Sequence, residues 1–238
     1  ATWNLRNSSS DGEGDGRTAA LAETVQLLDA DFVGLQELRI KEGSRGAGRQ
    51  AWHALLDALP GHEGVHVGWD DFDTVVGLVY RPERLTLLSW QPVMEANRYA
   101  FPRTPLEAHL RLGPGDDGLT IRVLVVRVKA FRDSLDRRRA ASQQLRDYIS
   151  GRPDRRYLIV GDFNDSPHDA AAENAFLGTL LDNEPAYHFI TAAFPPEAVS
   201  SVGYFHYVGE RRIQGELLDH VVATGPLFDL YSEVVPEI

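Results

Sequence analysis

The segment YLIVGDFNDSP, residues 157–167, carries the side chains with the clearest chemical potential in the sequence. Its apolar run stops at Gly161, and Asp162 and Asn164 follow. A carboxylate at a strand end can accept a proton from water or bind a hard cation, and a nearby carboxamide can orient that water or bind a phosphate oxygen. Taken alone, however, the pattern more simply indicates a polar turn that ends a strand.

Three other apolar segments contain isolated polar residues. Asn4 lies in TWNL, Glu37 follows the apolar run of GLQEL, and Asp219 and His220 lie within ELLDHVV. Each residue has a plain structural interpretation: an edge asparagine, a surface glutamate that begins a loop, and an aspartate bonded to backbone. A charged Asp219 among leucines and valines would be costly to bury without a partner. His220 would face the opposite side of such a strand.

Repeated strand–helix–strand units are predicted to position these residues. The segment ATWNLRN indicates a strand that ends at Asn4. The next segment, RTAALAETVQLLDA, indicates a helix with Leu21, Val25 and Leu28 on one face. It is followed by DFVGLQEL, which indicates a strand that ends at Glu37. The same order recurs in TIRVLVVRVKA, SLDRRRAASQQLRDYI and RYLIVGDFND. Because ligand sites lie at the carboxyl ends of parallel strands, we expect Glu37 and Asp162 to serve one site.

The remaining segments complete an α/β fold. Antiparallel strands are indicated by the segments TVVGLVYRPERLTLL and RTPLEAHLRL. A helix is indicated by AWHALLDAL, and a hairpin followed by a strand is indicated by GYFHYVGERRIQGELLDHVVAT. A short Ala-rich helix is predicted after Pro167, and the arginines at 137–139 are predicted to lie on the exposed face of their helix. These elements indicate two packed mixed sheets with helices outside.

Length and composition narrow the possible functions. The chain has 238 residues, 43% of them hydrophobic, which suits one domain with a sizeable core. It has no cysteine, which excludes disulfides and thiolate metal sites. A net charge of −11 disfavours strong non-specific binding to duplex nucleic acid, so a phosphate substrate would need local cations or a bound metal. No apolar stretch reaches the roughly 18 residues of a membrane span.

Together and in this order, the motifs WN, LQE, GDFN and LDH resemble those of the endonuclease/exonuclease/phosphatase superfamily, over nearly the whole chain. The resemblance implies a four-layer α/β/β/α sandwich of two mixed β-sheets with outer helices, and metal-dependent hydrolysis of phosphoesters. It also implies that Glu37 is the principal metal ligand with Asn4 beside it. Asp162 would align and deprotonate the attacking water, Asn164 would bind the phosphate, and Asp219 would orient a histidine.

The cofactor and substrate follow from the same comparison. Oxygen ligands without thiols or clustered histidines suit Mg²⁺, with Mn²⁺ as the alternative. Arg103 in FPRTP matches an arginine that the family often places before this strand. It could bind a phosphate oxygen, although stacking on Phe101 or Tyr99 explains it equally well. We expect a monomer that hydrolyses phosphodiesters in the manner of a nuclease. Nucleic acid is the first candidate substrate, and lipid or nucleotide phosphoesters are the alternatives.

Three departures from the family pattern leave the activity open. Arg127 in VRVKA replaces the usual histidine; it can clamp phosphate or pair with an acid such as Asp73, but it cannot usefully donate a proton. Arg6 stands where some members carry a second metal-binding acid. The closing Ser-Asp-His motif is absent. We therefore expect this single domain to be truncated at both ends and nearly inactive as residues 1–238, with a non-catalytic binding domain as the alternative.

Overall fold

A computed structural model describes residues 1–8, 14–39, 47–68, 74–113, 117–183, 186–207 and 210–230. Its strands, in chain order, are β1 (Thr2–Ser8), β2 (Phe32–Arg39), β3 (Glu63–Val67), β4 (Thr74–Tyr80), β5 (Leu85–Pro92), β6 (Leu106–Leu112), β7 (Thr120–Arg127), β8 (Tyr157–Asp162), β9 (Tyr187–Phe189), β10 (Ser201–Tyr207), β11 (Glu210–Glu216) and β12 (Asp219–Thr224). Its α-helices are α1 (Gly14–Leu27), α2 (Ala47–Asp57), α3 (Leu135–Ser150) and α4 (Gly225–Phe228). In this part of the chain, no helix is long and apolar enough to cross a membrane.

The strands form two mixed sheets and one hairpin. The first sheet has the order β1-β2-β4-β3, and the second has the order β5-β6-β7-β8-β12-β9. Strands β10 and β11 pair with each other as the predicted hairpin. The pairs β1–β2 and β7–β8 are parallel, as predicted from the strand–helix–strand pattern, whereas β12 runs antiparallel to β8.

Alternating apolar side chains hold the layers together. In β7, Val123 and Val125 pack between the sheets, whereas Leu124 and Val126 face α3. On the far side of the first sheet, α1 and α2 cover a separate core that includes Trp52. The layers are therefore helices, sheet, sheet and helix, in agreement with the predicted four-layer sandwich.

Gly34 in β2 marks a close approach of the two sheets. A Cβ atom at this position would lie 2.8 Å from Cγ2 of Val160 and 3.1 Å from Cγ1 of Val125. Both contacts are tighter than packed carbon atoms accept, so a side chain here would push the sheets apart. The glycine thus lets β2 and β8 lie close together just before the residues that carry chemistry.

Four local predictions were wrong. Strands β1 and β2 continue beyond Asn4 and Glu37, with a register irregularity in each. Leu28 follows the end of α1 and is 47% exposed, because the buried face of that helix is formed by residues such as Val25. Turns replace the predicted helix after Pro167. Among the arginines at 137–139, the middle one is buried rather than exposed.

Candidate active site

Arg127, Asp162 and Asp219 form one row across three neighbouring strands. Asp162 of β8 is paired in register with Arg127 of β7 on one side and with Asp219 of β12 on the other. Directly paired residues project from the same face of a sheet. Since Val125 and Val160 precede this row by two residues and pack between the sheets, the row faces the first sheet.

Asn4 extends from the first sheet toward this row. Its neighbours Trp3 and Leu5 pack against the helices on the outer side. Alternation along β1 therefore directs the Asn4 side chain to the space between the sheets. Its register partner is Gln36, which is fully buried and donates a hydrogen bond from Nε2 to Oγ1 of Thr2 at 3.1 Å.

Glu37 reaches the same space because β2 is irregular at this point. Strict alternation would place it beside Leu35 on the helix side, but the register shifts between Leu35 and Leu38. The backbone of Glu37 has a φ of 56°, a left-handed conformation that is uncommon for a residue with a side chain. Such irregularities re-aim side chains, and here the carboxylate is turned toward Arg127 of the second sheet.

The carboxamide of Asn4 joins the two carboxylates. Its Nδ2 donates to Oδ2 of Asp162 at 2.6 Å and to Oε1 of Glu37 at 3.2 Å. The two carboxylate oxygens are therefore at most about 6 Å apart. This separation is within reach of one hydrated cation, so the structure brings together the residues predicted to form the metal site.

Arg127 lies on Glu37. Its Nη2 and Nε donate to Oε1 of Glu37 at 2.6 and 3.1 Å, and both side chains are less than 20% exposed. Within the described residues, the other carboxylate oxygen, Oε2, accepts no hydrogen bond. Asp73, the acid suggested as a partner of Arg127, lies outside the described residues, as does the side chain of Arg6.

Asp162 is almost fully enclosed. Asp162 is only 3% exposed, and burial raises the pKa of its carboxyl to about 6. The charge of Arg127 and hydrogen bonds from Asn164 and Asn4 act in the opposite direction, whereas the charge of Glu37 adds to the rise. A carboxyl with this pKa is ionised at neutral pH and is a stronger base than an ordinary aspartate, which suits a residue that accepts a proton from water.

Asn164 holds Asp162 in place through its backbone. Its N–H donates to Oδ1 of Asp162 at 3.0 Å, and its side-chain Nδ2 donates to the carbonyl of Val128 at 3.0 Å. The turn depends on Gly161, where φ is 148° and a Cβ atom would lie 2.0 Å from the carbonyl oxygen of Val126. The glycine and the asparagine of GDFN, which end the apolar run, therefore hold the Asp162 carboxylate in a fixed position.

The LDH segment divides between site and core. Asp219 is half-buried, and its backbone N–H donates to Oγ of Ser200 at 2.9 Å. His220 is fully buried, with Nδ1 2.9 Å from Oγ1 of Thr191 and Nε2 2.8 Å from the carbonyl oxygen of Asp165. Burial lowers the pKa of His220 to about 4, so this histidine is neutral and structural. The histidine that Asp219 is predicted to orient remains a prediction.

One cation beside the row, Lys129, was missed from sequence, whereas Arg127 and Arg103 were predicted. Lys129 is half-buried, and its pKa is lowered first by burial and then by the charges of Arg137, Arg127 and, more weakly, Arg103. This result places Arg103 in the same positive region, although its predicted contact with phosphate stays a prediction. The alternation of Arg127 and Lys129 in VRVKA was the available signal.

A buried ion pair supports the GDFND turn from below. Nε of Arg138 donates to Oδ2 of Asp165 at 2.9 Å, and both side chains are less than 10% exposed. Nη1 of Arg138 also donates to the carbonyl of Phe131 at 2.6 Å. The arginine thus connects α3 with the turn after β8 and with the loop after β7. Nothing in its sequence context distinguished it from its partly buried neighbours Arg137 and Arg139.

The ligand set fits a hard divalent cation. The carboxylates of Glu37 and Asp162 and the carboxamide of Asn4 converge, and the Glu37 oxygen Oε2 remains available. The described residues contain no group of three or more His, Cys, Asp or Glu side chains able to hold a metal ion by themselves. Mg²⁺ does not require such a cage, because it commonly binds one or two carboxylates and completes its shell with water and substrate phosphate.

Comparison with known proteins agrees with this geometry. The sequence matches the Endonuclease/Exonuclease/phosphatase family over residues 1–238. A search of curated proteins found no match. A humanized TDP2 of D. rerio is similar in structure, with a TM-score of 0.66, 16% identity and coverage of 94% of this chain and 81% of that one. A mannosyl-6-phosphatase of Bacteroides thetaiotaomicron has a TM-score of 0.62 and 17% identity, with coverage of 94% of this chain and 84% of that one. The human Nocturnin catalytic domain with bound sulfate has a TM-score of 0.62 and 16% identity, with coverage of 93% of this chain and 79% of that one.

The two sheets and their outer helices form a four-layer sandwich, the fold shared with these solved structures. The chain belongs to the endonuclease/exonuclease/phosphatase family. The resemblance identified from the motifs WN, LQE, GDFN and LDH is thereby confirmed. At identities of 15–17%, the solved TDP2 and mannosyl-6-phosphatase structures support the fold and do not identify the substrate.

Proposed function

We propose that the protein hydrolyses phosphodiester bonds with the help of Mg²⁺ or Mn²⁺ and that its substrate is a nucleic acid. The observation that carries this proposal is the contact of one Asn4 nitrogen with both Glu37 and Asp162, at 3.2 and 2.6 Å. This contact joins the two sheets and brings a cation-binding carboxylate next to a buried base. Metal-assisted hydrolysis needs these two groups on either side of one phosphate.

Glu37 and Asn4 are the residues that would hold the cation. A divalent cation in this place would neutralise the negative charge that develops on the phosphoryl oxygens during hydrolysis. Glu37 offers Oε2, which has no hydrogen-bond partner among the described residues. Asn4 faces the carboxylates with its amide nitrogen, so its carboxamide oxygen would bind the cation only after the amide turns over.

Asp162 would act as the base. Hydrogen bonds from Asn4 and Asn164 fix its two carboxylate oxygens, and each oxygen keeps a lone pair for a water molecule. As the water oxygen forms a bond to phosphorus, its proton passes to Asp162 and the opposite ester bond breaks. Burial keeps the pKa of Asp162 near 6, which favours this transfer at neutral pH.

The substrate phosphate would be held by the cations and amides around the row. Arg127 faces the cleft and is always charged, Asn164 is next to the base, and Arg103 contributes to the same positive region. Asp219 lies on the other side of Asp162, where it could orient a group that contacts the phosphate. These assignments rest on position and residue type.

Two similar structures bear on the choice of substrate. One is D. rerio TDP2 in complex with a single-strand DNA product, and the other is a mannosyl-6-phosphatase, which is named for a sugar phosphate. We favour a nucleic acid because exposed aromatic side chains and cations lie beside the row, as argued below. Lipid and nucleotide phosphoesters are the alternatives within the same chemistry.

A second candidate function is supported by one specific contact. Arg127 lies on Glu37, the residue that a cation would need. If this ion pair persists in the presence of Mg²⁺, the protein would bind phosphates without efficient turnover. It would then be a non-catalytic binding domain with the same fold.

Hydrolysis assays distinguish the two functions. The purified protein is incubated with bis-p-nitrophenyl phosphate, p-nitrophenyl phosphate and a labelled single-stranded oligonucleotide, with Mg²⁺, Mn²⁺ or EDTA. We expect metal-dependent cleavage of the diesters, with the monoester cleaved more slowly. Oligonucleotide binding without metal-dependent cleavage of any diester would contradict the enzyme and support the binding domain.

A further inference from the structure

Two exposed aromatic rings, each with a cation beside it, lie next to the catalytic row. Phe131 is 72% exposed, and Nζ of Lys129 lies 4.5 Å from the centre of its ring. Tyr99 is 56% exposed, and Cζ of Arg137 lies 5.2 Å from its ring centre. We call Tyr99, Lys129, Phe131 and Arg137 the aromatic–cation surface.

This surface continues directly from the active site. Lys129 follows Val128, whose N–H donates to the carbonyl of Asp162 at 2.8 Å and whose carbonyl accepts from Asn164 at 3.0 Å. Lys129 joins the row to this surface, because it lies two residues after Arg127 and its Nζ lies 4.5 Å from the centre of the Phe131 ring. Burial is the main cause of the lowered pKa of Lys129; the charges of Arg137 and Arg127 add to it and that of Asp133 opposes it. A chain bound at the catalytic row would therefore meet Lys129 and Phe131 next.

The backbone that presents Phe131 is held in an unusual conformation. Its φ is 80° and its ψ is 143°, a combination that residues other than glycine rarely adopt. The carbonyl of Phe131 accepts hydrogen bonds from Nη1 of buried Arg138 at 2.6 Å and from the N–H of Ser134 at 3.1 Å. Strained backbone that is fixed in this way is concentrated at sites that bind ligands.

The second ring is also held firmly. Nε of Arg137 donates to the carbonyl of Tyr99 at 2.7 Å, and its Nη2 donates to the carbonyl of Arg98 at 3.1 Å. The guanidinium thus ties the loop around Tyr99 to α3 while keeping its positive charge near the ring. Both rings are consequently presented by restrained backbone, so little ordering is needed when a ligand binds.

We propose that the aromatic–cation surface binds single-stranded nucleic acid, with bases stacked on Phe131 and Tyr99 and phosphates held by Lys129 and Arg137. Every base has a flat face that can stack on an aromatic ring, and the cation beside each ring can bind a phosphate of the same strand. A duplex hides its base faces from such rings, whereas a single strand exposes them. The proposal rests on the proposed phosphodiesterase function, and it makes single strands the substrate class.

The test measures binding separately from cleavage. Fluorescence anisotropy in EDTA gives Kd for a labelled single-stranded 12-mer, for the same sequence as a duplex, and for an abasic sugar–phosphate 12-mer. Phe131→Leu should raise Kd for the 12-mer roughly 5- to 150-fold, the range measured for loss of one stacked base. It should leave Kd for the abasic 12-mer unchanged, whereas Lys129→Gln should weaken binding of both. Phe131→Tyr should restore binding.

Trp90→Leu is the matched control, because Trp90 is 46% exposed on β5 and is not part of this surface. It should leave all three Kd values unchanged. Equal binding of the 12-mer by the parent and Phe131→Leu proteins, or tighter binding of the duplex, would overturn the proposal. Hydrolysis of bis-p-nitrophenyl phosphate by the parent protein is scored separately. If the parent cleaves bis-p-nitrophenyl phosphate but Phe131→Leu does not change Kd for the 12-mer, only the proposed binding surface is rejected. If Phe131→Leu raises Kd but the parent does not cleave the diester, only the catalytic proposal is rejected.

Discussion

Arg127 donates two hydrogen bonds to a single oxygen of Glu37, at 2.6 and 3.1 Å. The guanidinium thus occupies one side of the carboxylate that is expected to bind a cation. Two positive groups that share one carboxylate oppose each other, and this repulsion is strong where solvent is partly excluded. The affinity of the site for a divalent cation should therefore be limited by Arg127.

Removal of this charge should tighten cation binding. We expect Arg127→Gln to lower Kd for Mn²⁺ by about 5-fold or more, the effect of about 1 kcal/mol of relieved repulsion. Isothermal titration calorimetry with Mn²⁺ measures this directly and does not depend on activity. Arg84→Gln is the control, since Arg84 pairs with Asp29 and Asp31 on the surface. An unchanged Kd in Arg127→Gln would show that the ion pair does not compete with the cation.

The same arginine should also bind the substrate. We expect Arg127→Ala to lower kcat/KM for a phosphodiester at saturating Mg²⁺ by about tenfold or more, because one charged hydrogen bond to phosphate is worth roughly 1.5–3 kcal/mol. Arg127→His should retain part of the activity, since a histidine can still donate to phosphate. Steady-state kinetics provide the test. Wild-type kinetics in Arg127→Ala would make the residue purely structural.

The buried pair of Arg138 and Asp165 should be important for stability. Arg138→Met would leave the Asp165 carboxylate enclosed without its cation, which typically costs about 3–5 kcal/mol of unfolding free energy. Adding Asp165→Asn to this variant should recover part of the loss. Arg146→Met is the control, because the pair of Arg146 and Asp147 is exposed and worth only about 0–1 kcal/mol. Equal losses in urea unfolding for Arg138→Met and Arg146→Met would contradict the account.

His220 should make stability depend on pH. Its pKa is lowered by burial to about 4 in the folded protein, below the usual value of about 6.5 in an unfolded chain. The unfolded chain therefore binds the proton first, and the contribution is complete above pH 6.5 and lost as the pH falls toward 4. The full effect is of the order of 3 kcal/mol. Urea unfolding between pH 7 and pH 5 measures the larger part of it, about 2 kcal/mol.

Two variants isolate this effect. His220→Gln should show a smaller loss of stability between pH 7 and pH 5, whereas His53→Gln, at an exposed position, should behave like the parent. If His220→Gln does not fold, the imidazole can be followed by NMR in the parent protein. Titration of His220 with an ordinary pKa near 6.5 would contradict the assignment as a buried neutral histidine.

The sequence predicted the parts of the fold that follow from periodicity and order. The two strand–helix–strand units and the final hairpin and strand were correct, because apolar alternation is determined locally. The rule that strand ends share a site joined Glu37 with Asp162, whereas the meeting of Asn4 with Asp162 followed from the family resemblance.

Features that depend on other segments could not be predicted. The left-handed backbone of Glu37 has no signal in GLQEL, although it decides which face the carboxylate occupies. The pairing of Arg127 with Glu37 joins residues 90 positions apart, and the burial of Arg138 depends on Asp165 in another element. The expectation that an acid–histidine pair completes the site beside Asp219 stays a prediction.

The central claim is that Asp162 activates the water that attacks a phosphodiester. The most direct test compares turnover of bis-p-nitrophenyl phosphate and a single-stranded oligonucleotide by the parent protein, Asp162→Asn and the control Asp147→Asn, at saturating Mg²⁺ and pH 7.5. Asparagine can keep the hydrogen bond from Asn164 but cannot take the proton, and it loses the bond that Asn4 donates to Oδ2, so urea unfolding of each variant is measured alongside. We predict that Asp162→Asn lowers kcat about 10²- to 10⁴-fold while Asp147→Asn, on the exposed surface of α3, remains within about twofold of the parent. Equal kcat values for Asp162→Asn and the parent would contradict the account.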